Sequence, residues 1–452
     1  MSRNILETVG SSTLLILASK LGYQTRAFAE AASELGWRVA YGTDRCHVLE
    51  DPWGDQALPL HFENPEESAR QIVEFARTTP LGGVLALGDR PTPPAARACA
   101  ALGLPFHSVA AADACRDKYR SRTVLHEAGL RIPPFVRVPI GKEVETRPAA
   151  PLPSVPFPLP WVLKPLSLSG SRGVIRANTL EEAQTAFERI GALLRSPDIR
   201  VLREASTQFI QIEQYVPGIE IALEALVERG QLKFLAIFDK PSPLTGPYFE
   251  ETIYVTPSRL PLRAQQEIEQ KLGKAVAALG LQHGPIHAEM RLELEGETAR
   301  NLSIMEVAAR CIGGLCARSL RFFDPRTPGE LISLESLLVR LALGQSTRHF
   351  VREQQASGVM MIPVPAGGIY EDVAGIERAL GVEHIESIEI TAKLGQRIIP
   401  LPEGSSYPGF IFARAAEPQQ VEGALREAHQ RLEFKVVPAL PVLLAHALTA
   451  ER

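Results

Sequence analysis

The sequence predicts an α/β fold that turns to α+β in its central part. Three observations carry this. Short continuous apolar runs alternate with amphipathic helices over the first hundred residues. A charged helix and a proline-rich connector follow. Beyond them, strands pair around tight turns, and one late hairpin alternates strictly between apolar and polar residues.

The first run, Leu14-Leu15-Ile16-Leu17-Ala18, has the pattern of a strand buried on both faces. A turn with Gly22 and an Ala/Glu-rich helix from about Thr25 to Leu35 follow; Gly36 stops the helix, and Trp37–Tyr41 gives the next strand of a βαβ unit. A helix around Glu66 to Arg77, a strand at Gly83–Leu87, a helix from Pro93 to Leu102 and a short strand at Leu104–Phe106 complete an open parallel sheet. Ligands of such sheets sit beyond the carboxyl ends of the strands, which here carry Ser19-Lys20-Leu21-Gly22-Tyr23 and Gly88-Asp89-Arg90. There is no G-x-G-x-x-G, so a dinucleotide reading lacks its phosphate cradle.

A single charged helix is expected from Asp113 through Ala128, closed by Gly129. Pro148, Pro151, Pro153, Pro156, Pro158 and Pro160 make the next stretch an extended, semi-rigid connector. Strands are expected at Trp161–Lys164, Gly173–Ala177 and Phe209–Val216, then as a pair, Ile219–Val227 and Leu232–Phe238, around Arg229-Gly230. A helix spans about Leu262 to Leu279; the tail after Leu331 mixes helix and strand, with Gly367-Gly368 and a helix from Val421 to Leu432. This divides the chain at 1–112, 113–211 and 212–452.

Composition excludes several classes. The net charge of the 452 residues is −4 and no Lys/Arg block occurs, which argues against a surface for nucleic-acid phosphates. No stretch has the length and apolarity of a membrane span, and Met1 to Gly10 lacks a secretory pattern. Cys46, Cys99, Cys115, Cys311 and Cys316 are odd in number and scattered, without the His spacing of a zinc site; they read as free thiols of a cytoplasmic protein. A homodimer is the default assembly.

The chemistry concentrates in a few segments. His287–Glu295 is a half-buried strand, Gly296 opens a turn, and Asn301–Val307 returns. If Glu295 closes against Arg300, Glu289 falls opposite Glu306, with Cβ atoms about 5 Å apart. Two carboxylates that close repel unless a cation or proton sits between them, and Mg2+ with oxygen ligands resolves the conflict. The bland alternative is two solvated glutamates on a surface hairpin. Arg310 follows four residues after Glu306, ahead of Cys311-Ile312-Gly313-Gly314, and supplies a fixed cationic fork for phosphate or carboxylate oxygens. Upstream, Lys164 stands in an apolar strand, costly unless it meets an anion, and Gly170-Ser171-Arg172-Gly173-Val174 offers backbone N–H groups suited to phosphate. Glu213-Gln214-Tyr215-Val216, with Glu220 beyond, can read an adenine edge and hold ribose hydroxyls.

Taken in order, these segments resemble the ATP-grasp superfamily, and more narrowly its amino-acid ligase branch. The resemblance runs from Leu14 to about Leu320 and rests on Asp117-Lys118, on Lys164-Pro165 with Gly170–Val174, on Glu213 to Glu220, and on Glu289 with Glu306 to Gly314. It implies a Rossmann-like N-terminal sheet followed by two lobes clasping ATP. Lys118 and Lys164 would contact ATP phosphates or the adenine edge; Gly170, Ser171, Gly173 and Val174 would close over the phosphates. Glu213, Gln214, Tyr215 and Val216 would form the adenine hinge, and Glu220 would hold the ribose. Glu289 and Glu306 would bind Mg2+, and Arg310 would stabilise the transferring phosphoryl group. The implied activity is a carboxylate–amine ligase acting through an acyl phosphate on small acids and amines. Other ATP-grasp ligation chemistry, or a non-catalytic nucleotide-binding module, are the alternatives. Ala308 stands where many members carry a metal-binding Asn, which counts against a second Mg2+. The segment from Asp239 to Glu251 lacks the basic signature associated with biotin carboxylases and offers Lys240 and Glu251 as substrate contacts, with Arg318 downstream.

Overall fold

The computed structural model describes residues 13–19, 23–44, 57–141, 152–327 and 329–439. Lys20 to Gly22, Cys46, Pro148 and Pro151, named above, lie outside these. Strands β1 (Thr13–Ala18), β2 (Arg38–Thr43), β3 (Ala57–Pro59) and β4 (Leu81–Leu87) form a parallel sheet in the order β3-β2-β1-β4. Burial on both faces of β1 is met literally. Leu14 and Ile16 enter the core shared with the rest of the molecule, while Leu15 and Leu17 enter the opposite core under the helices Pro65–Thr78 and Thr92–Leu102.

Two expectations fail here. Leu104–Phe106 is not a strand. The chain is instead drawn towards His107, whose Nδ1 accepts the Gln282 N–H at 3.2 Å while Nε2 meets the Pro285 carbonyl at 3.1 Å. The single helix over Asp113–Ala128 is two, Val109–Arg116 and Lys118–Glu127. Between them Asp117 takes an extended conformation and its carboxylate accepts the Arg120 N–H at 3.0 Å, capping the second helix.

A second sheet, antiparallel in the order β5-β8-β6-β7, contains β5 (Phe135–Pro139), β6 (Trp161–Pro165), β7 (Ile175–Ala177) and β8 (Phe209–Gln214). Trp161, Leu163, Ile210 and Ile212 pack under the helix Leu180–Leu194, which presents Ala183, Ala186, Ile190 and Leu193 at helical spacing. Neither β5 nor this helix is anticipated by the sequence reading.

The largest sheet has eight strands. It draws on β9 (Ile219–Glu228), β10 (Gln231–Asp239), β11 (Ile253–Thr256), β12 (Gly284–Glu295) and β13 (Thr298–Ala308). After β14 (Arg321–Phe323), β15 (Leu331–Ser333) and β16 (Val351–Arg352), which form a small sheet of their own, come β17 (Ala356–Met361), β18 (Gly368–Ala374) and β19 (Ile385–Ile390). Then follow β20 (Arg397–Ile398), β21 (Gly409–Ala415) and β22 (Glu433–Val437). The order in the large sheet is β13-β12-β9-β10-β11-β17-β21-β19, so strands of the C-terminal part extend it, while β18, β20 and β22 stand apart. Arg229 and Gly230 turn β9 into β10 with φ of +52° and +80°, the left-handed pair that a two-residue hairpin requires. Among the described residues no helix is long and apolar enough to cross a membrane.

The register of β12 and β13 fixes the site. The expected closure of Glu295 on Arg300 is wrong: Glu295 pairs with Thr298 across the tighter turn Gly296-Glu297. Yet Glu289 does lie opposite Glu306. Two irregularities, between Arg291 and Glu293 and between Glu289 and Met290, each insert one extra residue on β13 and restore the pairing. Asn301, at φ +52°, sits in the first of them.

A buried ionic cluster joins these parts. Glu213 on β8 accepts from Arg122 Nε at 2.8 Å and from Lys164 Nζ on β6 at 2.5 Å. Arg122, 1% exposed, also donates to the Met305 carbonyl, beside Glu306. Burial would raise the Glu213 carboxyl, but the two cations outweigh it and hold the group below its ordinary 4.5. Burial pushes Lys164 down, because the one carboxylate it faces is shared with Arg122. Where the chain passes from β8 to β9, Gly218 has φ +107°, and a Cβ there would lie 2.3 Å from the Leu292 carbonyl oxygen.

Two outcomes are expected. Gly218→Ala lowers unfolding free energy in urea by about 1–3 kcal/mol, through strain and the clash with Leu292. Glu213→Gln leaves two buried cations uncompensated and costs about 3–5 kcal/mol at neutral pH. A depressed carboxyl stabilises above its unfolded value and loses that contribution as pH falls. The parent should therefore lose this increment below pH 4.5, and Glu213→Gln should show a shallower acid limb in denaturation curves.

Candidate active site

The small lobe meets the large lobe at the hinge 214–216. The N–H groups of Gln214 and Tyr215 are bonded to the carbonyls of Pro134 and Pro160, each at 2.9 Å, and the Val216 carbonyl accepts from Arg291 at 2.7 Å. The Tyr215 ring lies between two guanidinium groups, Arg176 at 4.0 Å from its centroid and Arg291 at 5.2 Å. Glu213 is spent inside the protein. The anion that Lys164 meets is Glu213 itself, so the hinge is pinned by an internal pair.

On the large lobe, Lys240 is buried among acids. Its ammonium donates to Glu220 at 2.8 Å, to Glu289 at 2.9 Å and to Glu251. An ammonium has three donors, and these three acids take all of them, so the structure places Lys240, expected as a substrate contact, at the centre of an acidic cluster. Burial would lower its pKa, but the three carboxylates hold it well above 10.5. One carboxylate oxygen from each of Glu220, Glu251 and Glu289 lies within 4.8 Å of the others. Three acids share one lysine, and the repulsion among them is relieved at Glu251: burial first, then the neighbouring acids, push its carboxyl up to about 7, towards the neutral form. Glu289 stays ionised because Lys240 and His287 overcome its burial. His287 is held from behind by Glu224 at 2.5 Å, which raises the imidazole to about 9 despite its burial. Glu220 is shared: Oε1 accepts from Lys240 and Oε2 from Arg291 at 2.7 Å, leaving lone pairs for a hydroxyl donor.

Glu306, 26% exposed on its side chain, opens to the cleft, with Lys118 Nζ 3.5 Å away. Lys118 also donates to the Leu168 carbonyl at 2.9 Å, which ties the linker helix to the phosphate-loop region. Arg310 reaches across to Asp89, at the carboxyl end of β4, with Nε 2.9 Å from its Oδ1. Burial would raise Asp89, but Arg310, with Arg116 and Lys118 nearby, keeps it low. The ends of the parallel sheet thus contribute to the site, as the open-sheet rule expects. Glu204 accepts from Arg90 at 2.6 Å and from Arg116 at 2.5 Å, joining the same sheet end to the small lobe.

The loop after β6 turns through positive φ at Gly170 (+64°), Ser171 (+54°) and Gly173 (+75°). Gly173 is required by space as well: a Cβ would stand 2.8 Å from Pro165 Cγ. Arg318 is not brought to the site. Its guanidinium bonds Glu389 of β19 at 3.0 Å and stays half-exposed, because β19 packs at the far edge of the large sheet. The sequence reading missed Arg122, Arg291 and the role of Asp89. Arg122 carried a usable signal, since it lies four residues after Lys118 on one helix face. Arg291 had none, because its partners Glu220, Val216 and Leu244 come together only by folding. The described thiols Cys99, Cys115, Cys311 and Cys316 are free, and burial pushes each of them up.

With this geometry in hand, comparison with known proteins agrees segment by segment. Residues 157–319 match the ATP-grasp domain family, 29–106 the ATP-grasp N-terminal domain and 360–437 the L-amino acid ligase C-terminal domain 2. Alanine–anticapsin ligase of Bacillus subtilis (strain 168) is 30% identical over 265 residues, 56% of this chain and 53% of that protein. The chain spans about half the length of the curated relatives it matches. The crystal structure of an L-amino acid ligase from Bacillus licheniformis superposes with a TM-score of 0.76 at 26% identity, covering 95% of this chain and 99% of that one. Phosphoribosylglycinamide synthetase from Anaerococcus prevotii shares the fold at a TM-score of 0.64 and 17% identity, covering 94% of this chain and all (100%) of that one. Residues 29–106 and 157–319 thus match ATP-grasp domains, and the chain as a whole resembles the L-amino acid ligase branch of that superfamily.

Proposed function

We propose that this chain is an ATP-dependent carboxylate–amine ligase that joins an amino acid or similar acid to an amine, releasing ADP and phosphate. The observation that carries this is the pairing of Glu289 with Glu306 beside Lys118 and Arg310, in the crevice where both lobes and the end of the parallel sheet meet. The similarity to alanine–anticapsin ligase and to an L-amino acid ligase supports amino acids as the substrate class.

The residues fit Mg2+. Glu289 is held ionised, and Glu306 faces it across the strand pair with oxygen ligands for a hard cation. When bound, such an ion neutralises charge on the nucleotide phosphates. Ala308 offers no side-chain oxygen, so Glu289 and Glu306 would hold one ion. ATP would lie in the cleft with its adenine at the hinge 214–216, a ribose hydroxyl on Glu220 and its phosphates under the loop 170–174. The substrate carboxylate attacks the γ-phosphorus, ADP leaves, and an acyl phosphate forms. The amine lone pair then attacks the acyl carbon, phosphate departs, the amide forms and the amine loses a proton. Arg310, fixed by Asp89, holds the phosphoryl oxygens through both steps; positioning and charge neutralisation are what this chemistry requires of a protein.

Incubation with ATP, Mg2+ and pooled amino acids should give ADP and phosphate only when the pool is present. AMP and pyrophosphate would sink the acyl-phosphate route. Glu306→Ala should lower turnover by about 10²–10³-fold or more while leaving circular dichroism and thermal unfolding unchanged. Turnover that survived this change would falsify the metal assignment.

A further inference from the structure

ATP must enter and ADP must leave, so the small lobe has to lift from the large one. On the side where the helix Leu180–Leu194 and the loop 170–173 face the rest of the protein, the structure ties them down at several points. Arg189, on that helix, makes a two-pronged ion pair with Glu403: Nε to Oε1 at 2.5 Å and Nη2 to Oε2 at 2.9 Å. Its remaining Nη1 donates to the Tyr248 hydroxyl at 2.5 Å. The loop itself is gripped by the same C-terminal stretch. The Gly173 N–H donates to the Pro402 carbonyl at 2.8 Å, and Arg172 Nε donates to the Glu403 carbonyl at 2.7 Å. A Cβ on Gly170 would touch Ser405 at 3.5 Å. Tyr248 belongs to a strap that bridges to Ile175 of β7, and the Arg176 N–H donates to the Pro247 carbonyl at 2.8 Å.

We infer that Arg189, Glu403 and Tyr248 form a latch by which the C-terminal domain holds the phosphate loop closed, setting how long the nucleotide stays. They are positioning residues. Their effect would reach the phosphates through Arg172 and Gly173, which the same C-terminal stretch bonds. The inference rests on the ATP-dependent reading above.

The chemistry suits a latch better than a fixed joint. Both side chains of the ion pair are about two-fifths exposed, 43% for Arg189 and 39% for Glu403. An ion pair in water is worth little, and so it can open in each catalytic cycle, whereas a buried pair such as Arg122–Glu213 cannot. The two-pronged geometry gives it direction, because the planar guanidinium matches one orientation of the carboxylate. Glu403 lies within the matched L-amino acid ligase C-terminal domain 2, so the latch assigns that domain a task at the nucleotide.

The test uses the full chain with a fluorescent ADP in stopped flow, alongside hydrogen exchange of residues 167–176 without nucleotide. Arg189→Ala and Glu403→Ala should each speed ADP release by roughly two- to five-fold, the range of an exposed ion pair, and should raise exchange in the loop. Glu403→Ala should add nothing once Arg189→Ala is present, and the exchanged pair Arg189→Glu/Glu403→Arg should return both readings towards the parent. Tyr248→Phe should give a smaller increase. Unchanged release and exchange in both single variants, or effects that simply add in the double variant, would overturn the latch. If the parent failed to bind ADP, the ligase reading would fall, while loop exchange would still decide whether the latch exists.

Discussion

One carboxylate buried between two cations organises this molecule. Glu213 cannot be left without Arg122 and Lys164, nor they without it, since an unpaired charge at that depth is far more costly than the pair is favourable. The three come from the linker helix, β6 and β8. Arg122 extends the connection to the Met305 carbonyl, one residue from Glu306. The segment 214–216, the lysine strand β6 and the strand β13 are therefore set relative to one another by a single electrostatic requirement.

The rest of the site follows the same economy of charge. Most cations that the sequence places near the cleft are answered from within: Lys240 by three acids, Arg310 by Asp89, Arg90 and Arg116 by Glu204. Acids outnumber cations around Lys240, where Glu220, Glu251 and Glu289 share one ammonium. The same fold supports phosphoribosylglycinamide synthetase, so the architecture alone does not select a substrate; the side chains at the end of the parallel sheet and along the strap have that freedom.

The C-terminal part is more than an appendage. Its strands β17, β21 and β19 continue the sheet that carries Glu220 and Glu289, and its stretch 402–405 meets the loop 170–173 after β6. Sheet continuity ties this part to β9 and β12, whereas its contact with the small lobe is made of a few polar bonds, several near the surface.

Much of this was legible in the residues. The double-faced burial of β1, the helix Leu262–Leu279, the β9–β10 turn and the motif segments could be read because each depends on local periodicity or on turn chemistry. The opposition of Glu289 to Glu306 was also read, though by an incorrect turn, and two bulges that no periodicity shows made up the difference. Lys240 and Arg318 looked alike as charges near a motif. Folding surrounds the first with acids and sends the second to Glu389. Sequence by itself determined which residue types were available, in what order and on which strand faces. Only the tertiary structure decided which charges neutralise one another, because partners such as Arg310 and Asp89 or Arg189 and Glu403 lie more than two hundred residues apart, where no spacing rule reaches.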